Sequence, residues 1–331
     1  MNNKKSYFAE TDEFKFAIVR NLESDEEYYA ILDYANQELS SAVIPDEVES
    51  MKVKIISWEA FRSHNKLSSV GFPNSLHIIE DRAFQNCENL KTLDNFASLP
   101  LLKEIGDHSF TDCKKLILSS FPDGLRKIGK EAFANCDSIQ SLHFPDSIRL
   151  IGNRAFLGCA NLSEAYFTSS SEHSDMTVEI KSEAFSQCSN LHTVHLPNNL
   201  LIISTGLFWN STSLSTVIIS SNLVSIEESA FQDCSSLKRI SFPNTLEIIE
   251  SSAFKNCTAL ESIQIPENIK RIGKDAFHNC PNIKHVWFNS NLINRPDADE
   301  IFLQLFEAGL RTREVLLKAP TVQYVSVSKK A

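Results

Sequence analysis

Glycine and proline are scarce, 9 and 11 among 331 residues, so neither a collagenous nor a low-complexity disordered chain is in view. Positive charge is short as well. The 32 lysines and arginines stand against 42 acids, a formal net charge of −10. A dedicated binder of nucleic acid or of an anionic membrane needs a basic face, so the composition argues against both, although it leaves room for a local basic patch. The longest apolar stretches, such as Leu200–Ile203, fall far short of the ~20 residues a helix needs to cross a bilayer. No membrane insertion is expected. Residues 1–10 run from lysines to an acid without an apolar core, so no ordinary secretory signal peptide is legible. That favours the cytoplasm, or export by another route. The sequence has no Cys-x-x-Cys, no phosphate-cradling Gly-x-x-x-x-Gly-Lys-Ser/Thr, no Gly-x-Ser-x-Gly and no His-Glu-x-x-His. No catalytic residues, no metal and no cofactor are expected.

What the chain does have is a repeat. Phenylalanines of an Ala-Phe-x-x-Cys block fall at Phe61, Phe84, Phe110, Phe133, Phe156, Phe185, Phe208, Phe231, Phe254 and Phe277. Seven of the nine intervals are 23 residues; the other two are 26 and 29, which places insertions near Asp94–Pro100 and Ser169–Val178. All eight cysteines stand three residues after one of these phenylalanines, and His64 and Ser211 take that place where cysteine is missing. Between the blocks runs Leu-x-x-Ile-x-Phe-Pro, best formed at Leu237–Pro243, Leu260–Pro266 and Ile139–Pro145, and first seen at Leu39–Pro45.

Such a period predicts a coil. Leu237, Ile240 and Phe242 make a short strand with alternating faces, and Pro243 stops it for want of an amide hydrogen. The residue before each cysteine is mostly Asn, Asp or Gly, from Asn86 to Asn279. Those residues tolerate a left-handed backbone, so this position reads as a corner. One 23-residue turn cannot bury its own apolar edge, whereas stacked turns can. The expected fold is an α/β-type repeat solenoid of about eleven turns with short parallel strands. Residues 39–289 form the array, 1–38 an N-terminal capping hairpin and 290–331 a C-terminal cap. In the hairpin, Phe14–Arg20 and Glu27–Asn36 alternate as two strands. In the C-terminal segment, Ile301, Leu305 and Phe306 sit at helical spacing within Asp297–Gly309, followed by an alternating strand at Thr321–Val327. A docking helix for a partner is the other reading of that segment.

The pattern Leu-x-x-Ile-x-Phe/Leu-Pro…Ile-Gly-x-x-Ala-Phe-x-x-Cys, as in Ile148–Cys159 and Ile269–Cys280, resembles the BspA-like leucine-rich repeats of treponemal repeat proteins and of trichomonad and amoebal surface antigens. The resemblance covers roughly residues 39–289. It implies a curved solenoid with strands on the concave side and irregular turns opposite. It also implies surface proteins that bind host matrix proteins or other cells, alongside members without known partners. Ser119 departs from the pattern, standing where isoleucine is expected.

Eight cysteines at one phase form a column along the coil. They read as buried free thiols, since a bridge between neighbouring turns would need converging side-chain vectors. On the strands, the third and fifth positions of the Leu-x-x-Ile block leave the core. The fifth position gives Gly71, Asp94, Ser120, His143, Tyr166, His195, Ile218, Ser241, Gln264 and Trp287. The third gives Ser69, Thr92, Leu118, Ser141, Glu164, Thr193, Thr216, Arg239, Ser262 and His285. Bulky groups concentrate at His143, Glu164, Tyr166, His192, His195 and Ile218, with Arg239 and Trp287 further along. Exposed aromatics on a rigid face are what interfaces favour, and an ordinary solvated sheet is the competing reading. The leading functional reading is a non-enzymatic protein-interaction scaffold, adhesin-like or effector-like, binding a protein partner through the strand face. A self-associating structural or surface component is the alternative. Residues 1–38 and 290–331 are too short to house a catalytic domain.

Overall fold

A computed structural model describes residues 8–21, 26–34, 38–168, 177–310 and 315–318. The chain forms two compact units, residues 1–160 and 161–331. Both are β-coils built from turns of about 23 residues, and each turn carries short strands in parallel register with its neighbours. Helix is confined, among the described residues, to a single 3-10 turn at Phe96–Ser98 and to α1 (Ser290–Ile293) and α2 (Ala298–Glu307).

The first unit begins with an antiparallel sheet of β1 (Phe8–Glu10), β2 (Phe14–Arg20) and β3 (Glu27–Tyr34). β3 then runs parallel to Met51–Ile56, which joins the hairpin to the first coil strand. Two ladders follow. One takes Ser41–Val43, Ser69–Gly71 and Thr92–Asp94. The other takes Met51–Ile56, Ile78–Ile79, Glu104–Ile105, Lys127–Ile128 and Leu150–Ile151. The second unit repeats the plan with Glu164–Phe167, Thr193–His195 and Thr216–Ile218 on one ladder and Ile202–Ile203, Ser225–Ile226, Ile248–Ile249 and Arg271–Ile272 on the other. The two-residue strands of the second ladder were not legible in sequence, because two residues are too few to show a period.

The core of each unit is a pile of aromatic rings. Phe61, Phe84, Phe110, Phe133 and Phe156 stack face to face at 4.7, 5.0, 5.1 and 5.5 Å between centroids. Phe185, Phe208, Phe231, Phe254 and Phe277 do the same at 6.0, 5.3, 5.0 and 5.3 Å. All ten are fully buried. Tyr34 of β3 lies 5.2 Å over Phe61, continuing the pile into the hairpin. The three-residue insertion folds back as the 3-10 turn and tucks Phe96 against Phe72 at 5.8 Å. Of the second insertion, only Thr177 and Val178 fall within the described residues.

The corners behave as the sequence suggests. Asn86, Asp112, Asn135, Gly158, Gln187, Asn210, Asp233, Asn256 and Asn279 all have φ between 56° and 69°. A second left-handed position, four residues earlier, was not foreseen: Glu59, Arg82, His108, Glu131 and Arg154 are among its occupants, at 51–58°. These residue types rarely adopt that conformation, and hydrogen bonds to the next turn hold them there. Arg82 N–H, for example, donates to the Asp107 carbonyl at 2.8 Å.

At the C-terminal end α2 takes the place of a further turn. Asp275 and Phe277 N–H donate to the Glu307 and Ala308 carbonyls, at 3.3 and 2.8 Å, and Ile272 N–H to Gln304 Oε1 at 2.8 Å. Ala298, Ile301 and Leu305 face inward. Phe306 does not: it is 61% exposed, one step round the helix from the buried stripe. The described strand after α2 is Val315–Lys318, parallel to His285–Asn289. The strand expected at Thr321–Val327 lies outside the described residues.

Two substitutions test this packing. Phe133→Ala removes one ring from the middle of a pile and should lower unfolding stability by about 3–5 kcal/mol in a urea titration. Ser109 stands where most turns have alanine, is fully buried, and its hydroxyl has no partner among the described residues. Ser109→Ala should therefore raise stability by about 1 kcal/mol in the same assay.

Candidate functional site

The cysteine column is the first candidate to resolve. All eight thiols are free; seven are buried and Cys280 is half-buried. Each of Cys87, Cys113, Cys136, Cys159, Cys234, Cys257 and Cys280 aims Sγ at the phenylalanine carbonyl of the preceding turn, at 2.9–3.2 Å. Ser211 Oγ donates to the Phe185 carbonyl at 2.9 Å, and His64 Nε2 lies 2.8 Å from the Tyr34 carbonyl. Cysteine, serine and histidine share a donor, which alanine lacks. The column therefore satisfies buried carbonyls as well as filling space. Burial pushes the thiols of Cys87 and Cys280 up to about 12 and those of Cys113, Cys136, Cys234 and Cys257 well above the ordinary range. These are poor thiolates and poor metal ligands. No cluster of His, Cys, Asp or Glu suited to a metal occurs among the described residues.

The strand face of the second unit is the better candidate. Along Glu164–Phe167 burial alternates, with Ala165 and Phe167 in and Glu164 and Tyr166 out. In register, Glu164 aligns with Thr193 and Thr216, and Tyr166 with His195 and Ile218. The Tyr166 and His195 rings are 4.8 Å apart, and Ile218 on the next strand is 49% exposed. The Glu164 carboxylate accepts a hydrogen bond from the Tyr166 phenol and thereby raises its pKa. Glu164, Tyr166, His195 and Ile218 thus form one contiguous patch.

The structure also places the remaining predicted residues. His192 is exposed and sits just before the strand Thr193–His195, where its carbonyl accepts the Ser215 and Thr216 N–H groups. Arg239 is exposed and faces Glu261 at 3.5 Å. Trp287 is half-buried on a separate three-stranded ladder, opposite Gln264 and 5.8 Å from the His285 ring. His143 belongs to the first unit; it is exposed on Ser141–Phe144, with Nδ1 3.2 Å from the Ser119 carbonyl. Leu118, expected to point outward, is buried.

One expectation fails outright. Leu237–Pro243, one of the three best copies of the strand block, contains no strand. The ladder stops at Thr216–Ile218 and a new one starts at Ser262–Ile265. An open depression lies at this break, lined by Ser215, Thr216, Lys238, Arg239, Ser241 and Glu261. Inside, the coil is continuous: the Phe208, Phe231 and Phe254 rings stack, and the second ladder runs through Ser225–Ile226 and Ile248–Ile249. Side-chain patterning cannot show such a break, because it reports which residues face inward and not which backbones pair.

Comparison with known proteins agrees with the fold. The sequence pattern of the BspA type leucine rich repeat region matches, in six copies, residues 32–163 and 165–284. No curated protein matches the chain. Among solved structures, a leucine rich cell surface protein from Faecalibacterium prausnitzii is 23% identical, covers 94% of this chain and 100% of its own, and gives a TM-score of 0.39. The leucine rich repeat protein of T. pallidum is 24% identical over 67% of this chain and 87% of its own, with a TM-score of 0.49. The pneumococcal vaccine antigen PcpA is 19% identical over 86% and 82%, with a TM-score of 0.50.

The thiol column sets an alkaline limit. Its folded-state pKa values are raised, so the protonated thiol is the folded form. That contribution is fully present below the ordinary thiol value of 9.0 and is lost as pH rises through about 12. Urea midpoints should hold up to about pH 8.5 and fall steadily above it. A midpoint unchanged over roughly two pH units above about pH 9 would contradict the assignment.

Proposed function

The chain belongs to the BspA-type leucine-rich repeat family, and from that premise we propose that it is a non-enzymatic scaffold binding a protein partner through the strand face of its second unit. Leucine-rich repeats of this kind are generally protein-interaction scaffolds and surface antigens, and are typically not enzymes. The observation that supports the finer reading is the in-register patch of Glu164, Tyr166, His195 and Ile218. A rigid ladder holds these side chains in place before binding, so little ordering entropy is lost on contact. Tyrosine is enriched among the residues that dominate interface energies. In this reading residues 39–289 carry the repeats, while 1–38 and 290–331 close the ends. His143, His192, Arg239 and Trp287 serve as outlying contacts.

No helix among the described residues is long and apolar enough to cross a membrane. A surface or exported location is part of the same proposal, and burial would shield the thiols from oxidation there.

The test is a crosslinking pull-down with the full chain and with Tyr166→Ala/His195→Ala. The double variant should keep its unfolding midpoint and lose a partner that the parent captures, with affinity down about tenfold or more. Equal capture by both proteins would remove the patch from the interface. Light scattering separates the self-associating alternative, which requires a mass above that of one chain.

A further inference from the structure

The second ladder of the first unit carries a column of basic side chains. Arg149 N–H donates to the Arg126 carbonyl, Arg126 N–H to that of Lys103, Lys103 N–H to that of His77, and His77 N–H to that of Lys54, all at 2.8–2.9 Å. Successive turns thus place a basic residue at one position of the register. Each follows a buried residue, Val53, Leu76, Leu102, Leu125 or Ile148, so by strand alternation its side chain leaves the core. Lys54 is largely covered and pairs with Glu26 at 2.6 Å. Beyond it, Arg126 is exposed and Lys103 and Arg149 are half-buried. These three have no ion pair among the described residues. Nearby acids are engaged elsewhere: Glu104 faces Lys127 at 3.5 Å, Glu131 faces His108 at 3.4 Å, and Asp107 Oδ1 accepts Lys130 N–H at 2.7 Å. Arg149 is held without a carboxylate, its Nη1 donating to the Asp146 and Ile148 carbonyls at 2.6 and 2.7 Å. Like charges opposite one another on paired strands destabilise. The coil does not require them here, since the same position in the second unit holds Leu201, Val224, Glu247 and Lys270, the last two ion-paired at 2.7 Å.

We propose that Lys103, Arg126 and Arg149 bind a linear acidic polysaccharide with one carboxylate on each sugar, laid along the coil so that successive carboxylates meet successive turns. Spacing selects this ligand. The turns repeat every ~4.8 Å, and the rings of an extended polyuronate advance by a step close to that length. An extended acidic peptide presents side chains to one face only every ~6.6 Å, and a DNA strand in a duplex carries one phosphate per ~3.4 Å of axis, so both fall out of step. Single-stranded nucleic acid is held by stacking its bases on aromatic rings. The residues following the three cations are Glu104, Lys127 and Leu150, none of them aromatic. Arginine forks match carboxylates in bidentate geometry. The chain's net negative charge does not forbid the contact, because at ~0.15 M salt fields decay over ~8 Å and a bound chain feels mainly the column. This surface lies in a different unit and on a different ladder from the Tyr166 patch, so the two readings stand or fall independently.

The test titrates the full chain with fluorescent oligogalacturonates at ~0.15 M salt. Affinity should rise with length up to about three or four sugars, the reach of the open column, and then level off. The methyl-esterified oligomer, which keeps the sugars and loses the charge, should not bind. Lys103→Gln/Arg126→Gln should bind about tenfold or more weakly. Its unfolding midpoint should hold or rise, because a like-charge contact is gone. No binding by the parent, affinity that keeps climbing with length, equal affinity in the double variant, or equal binding of oligoaspartate or oligothymidylate of the same charge would each overturn the proposal. Amine acetylation of the parent reads the contact without any substitution. Bound oligomer should slow labelling of Lys103 and leave that of the exposed Lys238 unchanged. Labelling of Lys103 at the same rate with and without oligomer would remove the column from the site.

Discussion

A phenylalanine ring resting on the ring of the next turn, 4.7–5.5 Å away in the first unit and 5.0–6.0 Å in the second, governs the spacing of everything else. Parallel strands sit ~4.8 Å apart, so ring pile and strand ladder share nearly one repeat. A coil can then satisfy its apolar interior and its backbone together. Where the two part company, the rings prevail: the ladder opens after Ile218, yet Phe208, Phe231 and Phe254 remain stacked. The strand face is the more yielding layer of the structure.

Stacking the rings brings the phenylalanine carbonyls inside, where each needs donors for its lone pairs. One comes from the amide three residues on, as from His64 to Phe61 at 3.2 Å. The other comes from the next turn's thiol, as from Cys87 to Phe61 at 2.9 Å. The corner residues add a polar line outside, with Asn256 Nδ2 donating to Asp233 Oδ1 at 2.6 Å and Asn279 Nδ2 to Asn256 Oδ1 at 2.9 Å. Asn and Asp thus serve twice, in tolerating the left-handed backbone and in linking turns.

Much of this was legible in the residues. The Phe and Cys spacing carried the period, and Asn, Asp and Gly before each cysteine marked the corner. The second left-handed position was not legible, because Glu59, Arg82 and His108 do not advertise it; neighbouring turns impose it. The outward alternation placed Tyr166 beside His195 and Ile218 correctly. It could not show that Arg239 lies beyond a break or that Trp287 belongs to another ladder, since backbone pairing leaves no trace in side-chain pattern. Phe306 misled because helical spacing fixes an angle only to within one residue.

The backbone hydrogen bonds between turns point one way around the Ala-Phe segment: Phe61 N–H donates forward to Ala83, and Phe254 N–H forward to Ala276. The coil therefore has a donor end and an acceptor end, and they are not interchangeable. A helix also ends in unlike groups, free amides at its start and free carbonyls at its finish. The finish of α2 meets the donor end of the coil, at Phe277. Turned around, the same helix would set amide against amide. Direction alone decides which terminus of a helix can finish such an array.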